Sequence, residues 1–335
     1  MPPCRVAASA APLLTAAVTL LLTGCGDASP RSTLTPDQIQ TRLYDIAEKF
    51  NAGVDAGRDV SPLAARVDSV LTQAPDHVEA LTLRGQIATA LDDLHAARRF
   101  FNQALAHQPE NAPLHLLAGG IAEQQRDYPD AEAHFRAAVA ARPRHAASRT
   151  RLAHAVLRQG RLEEARALLD QALSLNVMAH RAHALRGAIA LEEQDPGLAL
   201  IEYEQAYRKA LDEEPEAQLA YAVTLSGLLM NADRPADAAR VLRVADLSDF
   251  FTADVMARHA EALAAAGEPG IAADYYDQWS RRDPTNPLPV AEAVRWFMRA
   301  DQPRRARSLL ERLRHIAPRD PRISVLDAQL RDAPG

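Results

Sequence analysis

Residues 97–109 read Ala97-Arg98-Arg99-Phe100-Phe101-Asn102-Gln103-Ala104-Leu105-Ala106-His107-Gln108-Pro109, and residues 131–143 read Ala131-Glu132-Ala133-His134-Phe135-Arg136-Ala137-Ala138-Val139-Ala140-Ala141-Arg142-Pro143. Each stretch has an alanine, a phenylalanine four residues on, a second alanine seven on and a proline twelve on, and the second stretch follows the first by 34 residues. Four residues make about one helical turn, so the alanine and the aromatic share a helix face. The proline cannot continue that helix and stops it. The same alanine recurs at Ala165 and Ala199 and, after one step of 39, at Ala238, Ala272 and Ala306. The position four residues on holds Phe101, Phe135, Leu169, Tyr203, Leu242, Tyr276 and Leu310. Prolines keep the interval at Pro75, Pro109 and Pro143 and again at Pro284 and Pro318. Seven units with shared marked positions are an array, in which a lone hairpin cannot bury its apolar face and must stack on its neighbours.

This pattern resembles the tetratricopeptide repeat, a 34-residue unit folded as helix A, a turn and helix B. Gly85, Gly119 and Gly187 stand where that family has the small residue of helix A, and the family's early tryptophan is replaced by Leu81, His115, Arg149 and His183. The closing proline is Val177 in the third full unit and Leu211 in the fourth. The resemblance implies an all-α fold, a superhelical solenoid of antiparallel helix pairs. It divides the chain into a degenerate first repeat over 44–77, four units over 78–213, an insertion at 214–218, three units over 219–320 and a capping segment over 321–335. The insertion is expected to lengthen the fourth helix B or its exit loop. The alanine before each aromatic marks a close approach of helices A and B, and the aromatic is expected to fill the gap between helix pairs. Breakers and polar residues separate A from B, as in Asp92-Asp93, Asp127-Tyr128-Pro129 and Gly160-Arg161.

Residues 1–24 read as a signal segment, with Arg5 ahead of an apolar run that ends in Leu22-Thr23-Gly24-Cys25. That ending resembles the bacterial lipoprotein cleavage site, in which the cysteine is acylated and becomes the first residue of the mature chain. The alternative reading is a plain secretory signal or an uncleaved anchor helix. On the lipoprotein reading Cys4 leaves with the signal, Cys25 carries the lipid, and the mature chain has no free thiol or disulfide. Loss of Arg5 takes the formal net charge from -6 to -7. Residues 25–43 are expected to form the lipidated N-terminus and a flexible tether rich in Gly, Ser, Thr, Pro and Asp. In the lipoprotein family an aspartate directly after the cysteine favours the inner membrane; here that residue is Gly26, which favours the outer membrane.

No phosphate-binding glycine loop, nucleophile elbow or paired-histidine zinc motif occurs in the sequence. His180 and His183 lie three apart with no third ligand evident nearby, so no metal site and no cofactor are expected. The pairs Glu163-Glu164, Glu192-Glu193 and Glu213-Glu214 point about 100° apart on a helix, which suits solvated faces and not an acid–base dyad. Tyr276 and Phe297 read as core, with Tyr275 and Trp296 beside them. The negative net charge carries no footprint for nucleic acid, and no small-molecule substrate is expected.

In tetratricopeptide arrays helix A lines a concave groove. The resemblance therefore places Thr82, Gln86, Thr89, Leu116, Gly120, Glu123, Thr150, His154, Ala184, Ala188, Val223, Gly227 and Met230 along a partner-binding surface, with Asp254, Glu261, Arg295 and Met298 further on. These residues are mostly small, with weakly polar character in the middle, which suits an apolar helix or an extended segment of a protein partner. The chain has only two lysines, Lys49 and Lys209, and so lacks the basic clamp of chaperone-binding members of the family. The implied function is a non-enzymatic scaffold, lipid-anchored at a bacterial envelope and facing the periplasm. It would serve a secretion, pilus, polysaccharide-export or cell-wall assembly. The alternative is an adaptor or regulator of a periplasmic enzyme such as a protease.

Overall fold

The computed structural model describes residues 34–176, 178–210, 215–243 and 252–331. The signal segment, Cys25, Val177 and Leu211 therefore lie outside the described residues. Seventeen helices account for the regular structure among the described residues, and consecutive helices pack in pairs. The chain divides into two compact units, residues 1–75 and 76–335.

The first unit pairs α1 (Pro36–Asp55) with α2 (Ser61–Leu71). Helix α1 begins well before residue 44, inside the segment expected to be tether. The reason is a capping box: the Thr35 side chain accepts from the Gln38 N–H at 3.3 Å while Gln38 Oε1 accepts from the Thr35 N–H at 3.0 Å. Ile39, Leu43 and Ile46 then recur at helical spacing and are buried.

The second unit is built from seven helix pairs and one end helix. The pairs are α3 (Val78–Ala90) with α4 (Leu94–His107), α5 (Ala112–Gln124) with α6 (Tyr128–Ala141), and α7 (Ala146–Leu157) with α8 (Leu162–Leu175). They continue as α9 (His180–Glu192) with α10 (Pro196–Lys209), α11 (Pro215–Asn231) with α12 (Pro235–Leu242), α13 (Ala253–Ala265) with α14 (Pro269–Arg282), and α15 (Pro287–Arg299) with α16 (Pro303–Ile316). Helix α17 (Arg322–Arg331) buries Leu326 and Leu330 at the end of the row. The insertion lies elsewhere than expected: α10 keeps the 14 residues of α4, whereas α11 has 17 residues against 13 in α9 and α13. Pro215 suits a first helical turn, and the helix starts there, about one turn early.

The turn between the two helices of a pair is the same in all seven pairs. Asp92, Arg126, Gly160, Gln194, Asp233, Gly267 and Asp301 each take positive φ, between 55° and 84°. The N–H of the following residue then donates to a carbonyl five residues back, as from Asp93 to Ala88 (2.9 Å) and from Asp127 to Ala122 (2.8 Å). This left-handed closure terminates helix A. In three pairs the same following residue also opens helix B: the side chains of Asp93, Asp127 and Asp195 accept from the N–H of Ala96, Asp130 and Leu198. Pro109 and Pro143 stand just past α4 and α6, whose C-caps are Gln108 and Arg142.

Within each pair the marked residues meet. Ala97, Ala131, Ala165, Ala199, Ala238, Ala272 and Ala306 are fully covered. The aromatic four residues on sits over helix A of its own pair, a closer role than filling the gap between pairs. A Cβ placed on Gly85 would lie 2.5 Å from Cε1 of Phe101; on Gly119, 2.5 Å from Cε1 of Phe135; on Gly187, 2.7 Å from Cδ2 of Tyr203. In the third pair the equivalent positions are Ala153 and Leu169, both fully buried, so a larger helix A residue faces a smaller helix B residue. Phe101, Phe135 and Tyr276 are buried, and Tyr203 is half-buried.

These contacts generate three expectations. Gly85→Ala drives a methyl into the Phe101 ring and lowers stability by about 1–3 kcal/mol, less roughly 1 kcal/mol from better helix propensity. In Gly85→Ala/Phe101→Leu, which copies the third pair, chemical denaturation should show clearly less loss than the sum of the two single variants. Asp93→Ala, which removes one helix cap, should cost about 1 kcal/mol in the same assay. His259 is buried, edge-on to Tyr275 with ring centroids 4.8 Å apart. Burial, with the Arg243 charge adding to it, pushes its pKa down to about 4. The unfolded chain binds a proton below the ordinary value of 6.5 that the folded chain refuses, so stability falls as pH drops from 6.5 towards 4. The fall between pH 7 and pH 5 should be about 2 kcal/mol, and His259→Gln should flatten that part of the stability–pH profile.

Candidate partner-binding surface

The residues expected to line a groove all lie on the first helix of a pair: Thr82 and Gln86 on α3, Leu116 and Gly120 on α5, Thr150 and His154 on α7, Ala184 and Ala188 on α9, and Val223 and Gly227 on α11. All are partly exposed except Thr150, which is 5% exposed and spends its hydroxyl on the Ala146 carbonyl. Thr82 likewise turns its hydroxyl back to the Val78 carbonyl, at 2.7 Å. Such local bonds leave both threonines poor partners for a ligand.

The structure brings a subset of these residues together. Glu123, Thr150, Arg151, His154, Arg181, Ala184, Leu185 and Tyr221 surround a cleft of about 320 Å³ built from α5, α7, α9 and α11. Gly120 adjoins it, because a Cβ there would lie 3.5 Å from Nη1 of Arg151. Thr82, Gln86, Leu116, Ala188, Val223 and Gly227 lie outside the cleft lining. His154 Nδ1 is 2.7 Å from Glu123 Oε1, and Arg151 Nη1 is 3.8 Å from Glu123 Oε2. The middle of the surface is therefore charged, a correction to the weakly polar character read from the sequence. Arg151, Arg181, Leu185 and Tyr221 were missed because they are neighbours of the family's lining positions. A legible signal was present: residues 142–161 hold Arg142, Arg144, Arg149, Arg151, Arg158 and Arg161 and no Asp or Glu, in a chain whose net charge is -6.

The other sequence candidates are held by neighbours. His180 Nδ1 lies 3.1 Å from the Tyr221 hydroxyl, while His183 Nδ1 lies 2.7 Å from Glu202 Oε2, so the two rings turn to different partners. No group of three or more metal-ligating side chains occurs among the described residues. Glu164 pairs with Arg136 (2.6 Å) and Arg161 (3.2 Å), and Glu193 pairs with Arg166; Glu213 and Glu214 lie outside the described residues. Trp296 is buried with the Arg299 guanidinium 4.6 Å from its ring centroid, and Phe297 is buried beside it. Among the described residues no helix is long and apolar enough to cross a membrane.

Two tetratricopeptide repeat profiles match the chain, over residues 90–146 and 122–189. No curated protein sequence matches it. Among solved structures it is similar to PilW, described as a widely conserved type IV pilus biogenesis factor, at 20% identity over 62% of this chain and 94% of PilW, with a TM-score of 0.49. It is also similar to MamA from Desulfovibrio magneticus RS-1, at 16% identity over 54% of this chain and 99% of MamA, with a TM-score of 0.47. A third is YrrB, described as having an unusual peptide-binding site, at 19% identity over 58% of this chain and 97% of YrrB, with a TM-score of 0.43. Tetratricopeptide repeats are thus matched across residues 90–189, and the same pairing of consecutive helices continues on both sides of that stretch.

Proposed function

We propose that the protein is a lipid-anchored scaffold that holds protein partners in an assembly of the bacterial envelope, of the secretion, pilus, polysaccharide-export or cell-wall kind. The observation that carries the binding half of this reading is the cleft across α5, α7, α9 and α11, where one surface is assembled from four successive helix pairs. A surface so built exists only in the stacked array, which suits capture of an extended partner segment. The anchoring half rests on Leu22-Thr23-Gly24-Cys25 after an apolar run. Several acyl chains on Cys25 would hold the protein firmly, at about 0.8 kcal/mol for each buried methylene. Gly26 after the cysteine favours the outer membrane, with the folded body facing the periplasm.

Two measurements test the two halves. A lipoprotein signal-peptidase inhibitor of the globomycin type should cause a larger precursor to accumulate, and Cys25→Ala should release the protein from the membrane fraction; an unchanged size with the inhibitor sinks the anchor. Photo-crosslinking residues placed at Ala188 and Val223, beside the cleft, should give discrete adducts with one or a few envelope proteins. Adducts that form only from the exposed helix B positions Arg136 and Glu163 would move the binding surface to the other side of the helix pairs.

A further inference from the structure

Helix α17 is half of a pair. It packs on α15 and α16 and buries Leu326 and Leu330 there. A step of 34 aligns Val294 and Phe297 of α15 with Ala328 and Arg331 of α17. The first of these positions is that of Gly85, Gly119 and Gly187, where helix B lays its ring. It is buried in all seven pairs, as Ala153 in the third and Val294 in the seventh. The second position, from Ala88 to Phe297, is also buried in all seven. In α17 both are exposed. Among the described residues no helix follows α17 to cover this face.

A charged joint between pairs points to what belongs there. Arg98 reaches from α4 into the next pair, donating to Gln125 (3.1 Å), Asp127 (3.2 Å) and Asp130 (2.9 Å). One repeat on, Glu132 accepts from Gln159 at 2.7 Å and from Arg161. One further on, Arg166 reaches Glu193. The sign reverses at the middle joint and the pairing is kept, so the position holds complementary charge rather than a particular residue. It is uncharged at Leu200, Ala239 and Ala273 and charged again at Arg307. Arg307 is exposed and meets no carboxylate among the described residues. The acids that satisfy Arg98 cap and open a second helix, α6. That second helix is the element α17 lacks.

We infer that the open face of α17 docks a helix of a partner protein, which completes an eighth pair of the second unit. The helix it fits has a carboxylate in its first turn facing Arg307, then an alanine, and a leucine four residues after the alanine lying over Ala328. Leucine suits this place because Ala328 keeps a Cβ, as Ala153 does opposite Leu169. An acid in the first turn also suits the positive end of the docking helix. Residues at i and i+4 lie on one helix face, which lets a single helix present both apolar side chains. This surface is separate from the cleft across α5, α7, α9 and α11, and the inference does not depend on that cleft.

The probe is a fluorescently labelled peptide copying α8 (Leu162–Leu175), acetylated and amidated at its ends and mixed with the full-length chain in detergent. It carries Glu163, Glu164, Ala165 and Leu169 in the required order. Fluorescence polarisation should show saturable binding. Leu169→Ala in the peptide should weaken it at least roughly tenfold, and Ala328→Arg in the protein should abolish it. Arg307→Glu should weaken binding several-fold, and a peptide with Glu164→Arg should recover it, as the joint of Glu132 with Arg161 does within the array. Circular dichroism and melting temperature confirm that each protein variant is folded; both substituted positions are exposed. No saturable binding, indifference to Ala328→Arg, or failure of the exchanged charges to recover binding overturns the inference. So does a concentration-dependent dimer, seen by analytical ultracentrifugation, that Ala328→Arg dissolves, because the occupant is then a second copy of the chain. Adducts from Ala188 and Val223 report on the cleft alone: their absence sinks the cleft reading and leaves the α17 face standing.

Discussion

Three helix pairs of the array close around a missing atom. Where Gly85, Gly119 and Gly187 leave out a Cβ, the rings of Phe101, Phe135 and Tyr203 occupy the space. The trade is local and complementary: in the third pair Ala153 has a Cβ and Leu169 has no ring. Interiors are packed densely enough that one methyl is felt, so the two positions constrain each other across the helix–helix contact. The fully covered alanines four residues earlier bring helix B close enough for that contact to form. Every later feature, from the stacking of pairs to the cleft across α5, α7, α9 and α11, relies on helix A and helix B being held at this short distance.

Much of this was legible because backbone constraints repeat in register. Alanines at steps of 34, aromatics four residues on and prolines closing helix B are marks of helix spacing, and the described residues show helices where those marks stand. The left-handed turn was harder to read. Gly160 and Gly267 announce it, but Arg126 and Gln194 adopt the same conformation without any sequence sign, held there by the helix termini on either side. The start of α1 was legible and passed over: Thr35 and Gln38 form a capping box within a stretch rich in Pro, Thr and Asp that otherwise suits a tether. The insertion at 214–218 was located by the slip in phase, but phase alone does not say which helix absorbs the extra residues; Pro215 as a helix start decides it.

The candidate surface differs in character from the sequence reading. Of the helix A positions that the resemblance implies, Thr150, His154, Ala184 and Glu123 share a cleft. The positions beside them determine its charge. Arg151 follows Thr150, Arg181 follows His180, and both line the opening beside the shorter side chains. Long side chains carry their charge well away from their own Cα, so a surface inferred from lining positions alone underestimates the influence of flanking arginines. Local hydrogen bonding explains the opposite error, in which Thr82 and Thr150 turn inward to their own helices.

The uniform turn has a consequence for how such a chain can change. Seven closures share one backbone conformation, and in three of them an aspartate both ends helix A and begins helix B. A residue added there would break both helices at once. The step of 39 falls between pairs, where α10 ends and α11 begins, and α11, at 17 residues against 13 in α9 and α13, takes most of the surplus as an extra turn. Variation is thus directed to one kind of joint, and the helix pair behaves as an indivisible module: evolution or a protein engineer can respace, duplicate or excise whole pairs far more easily than alter the inside of one.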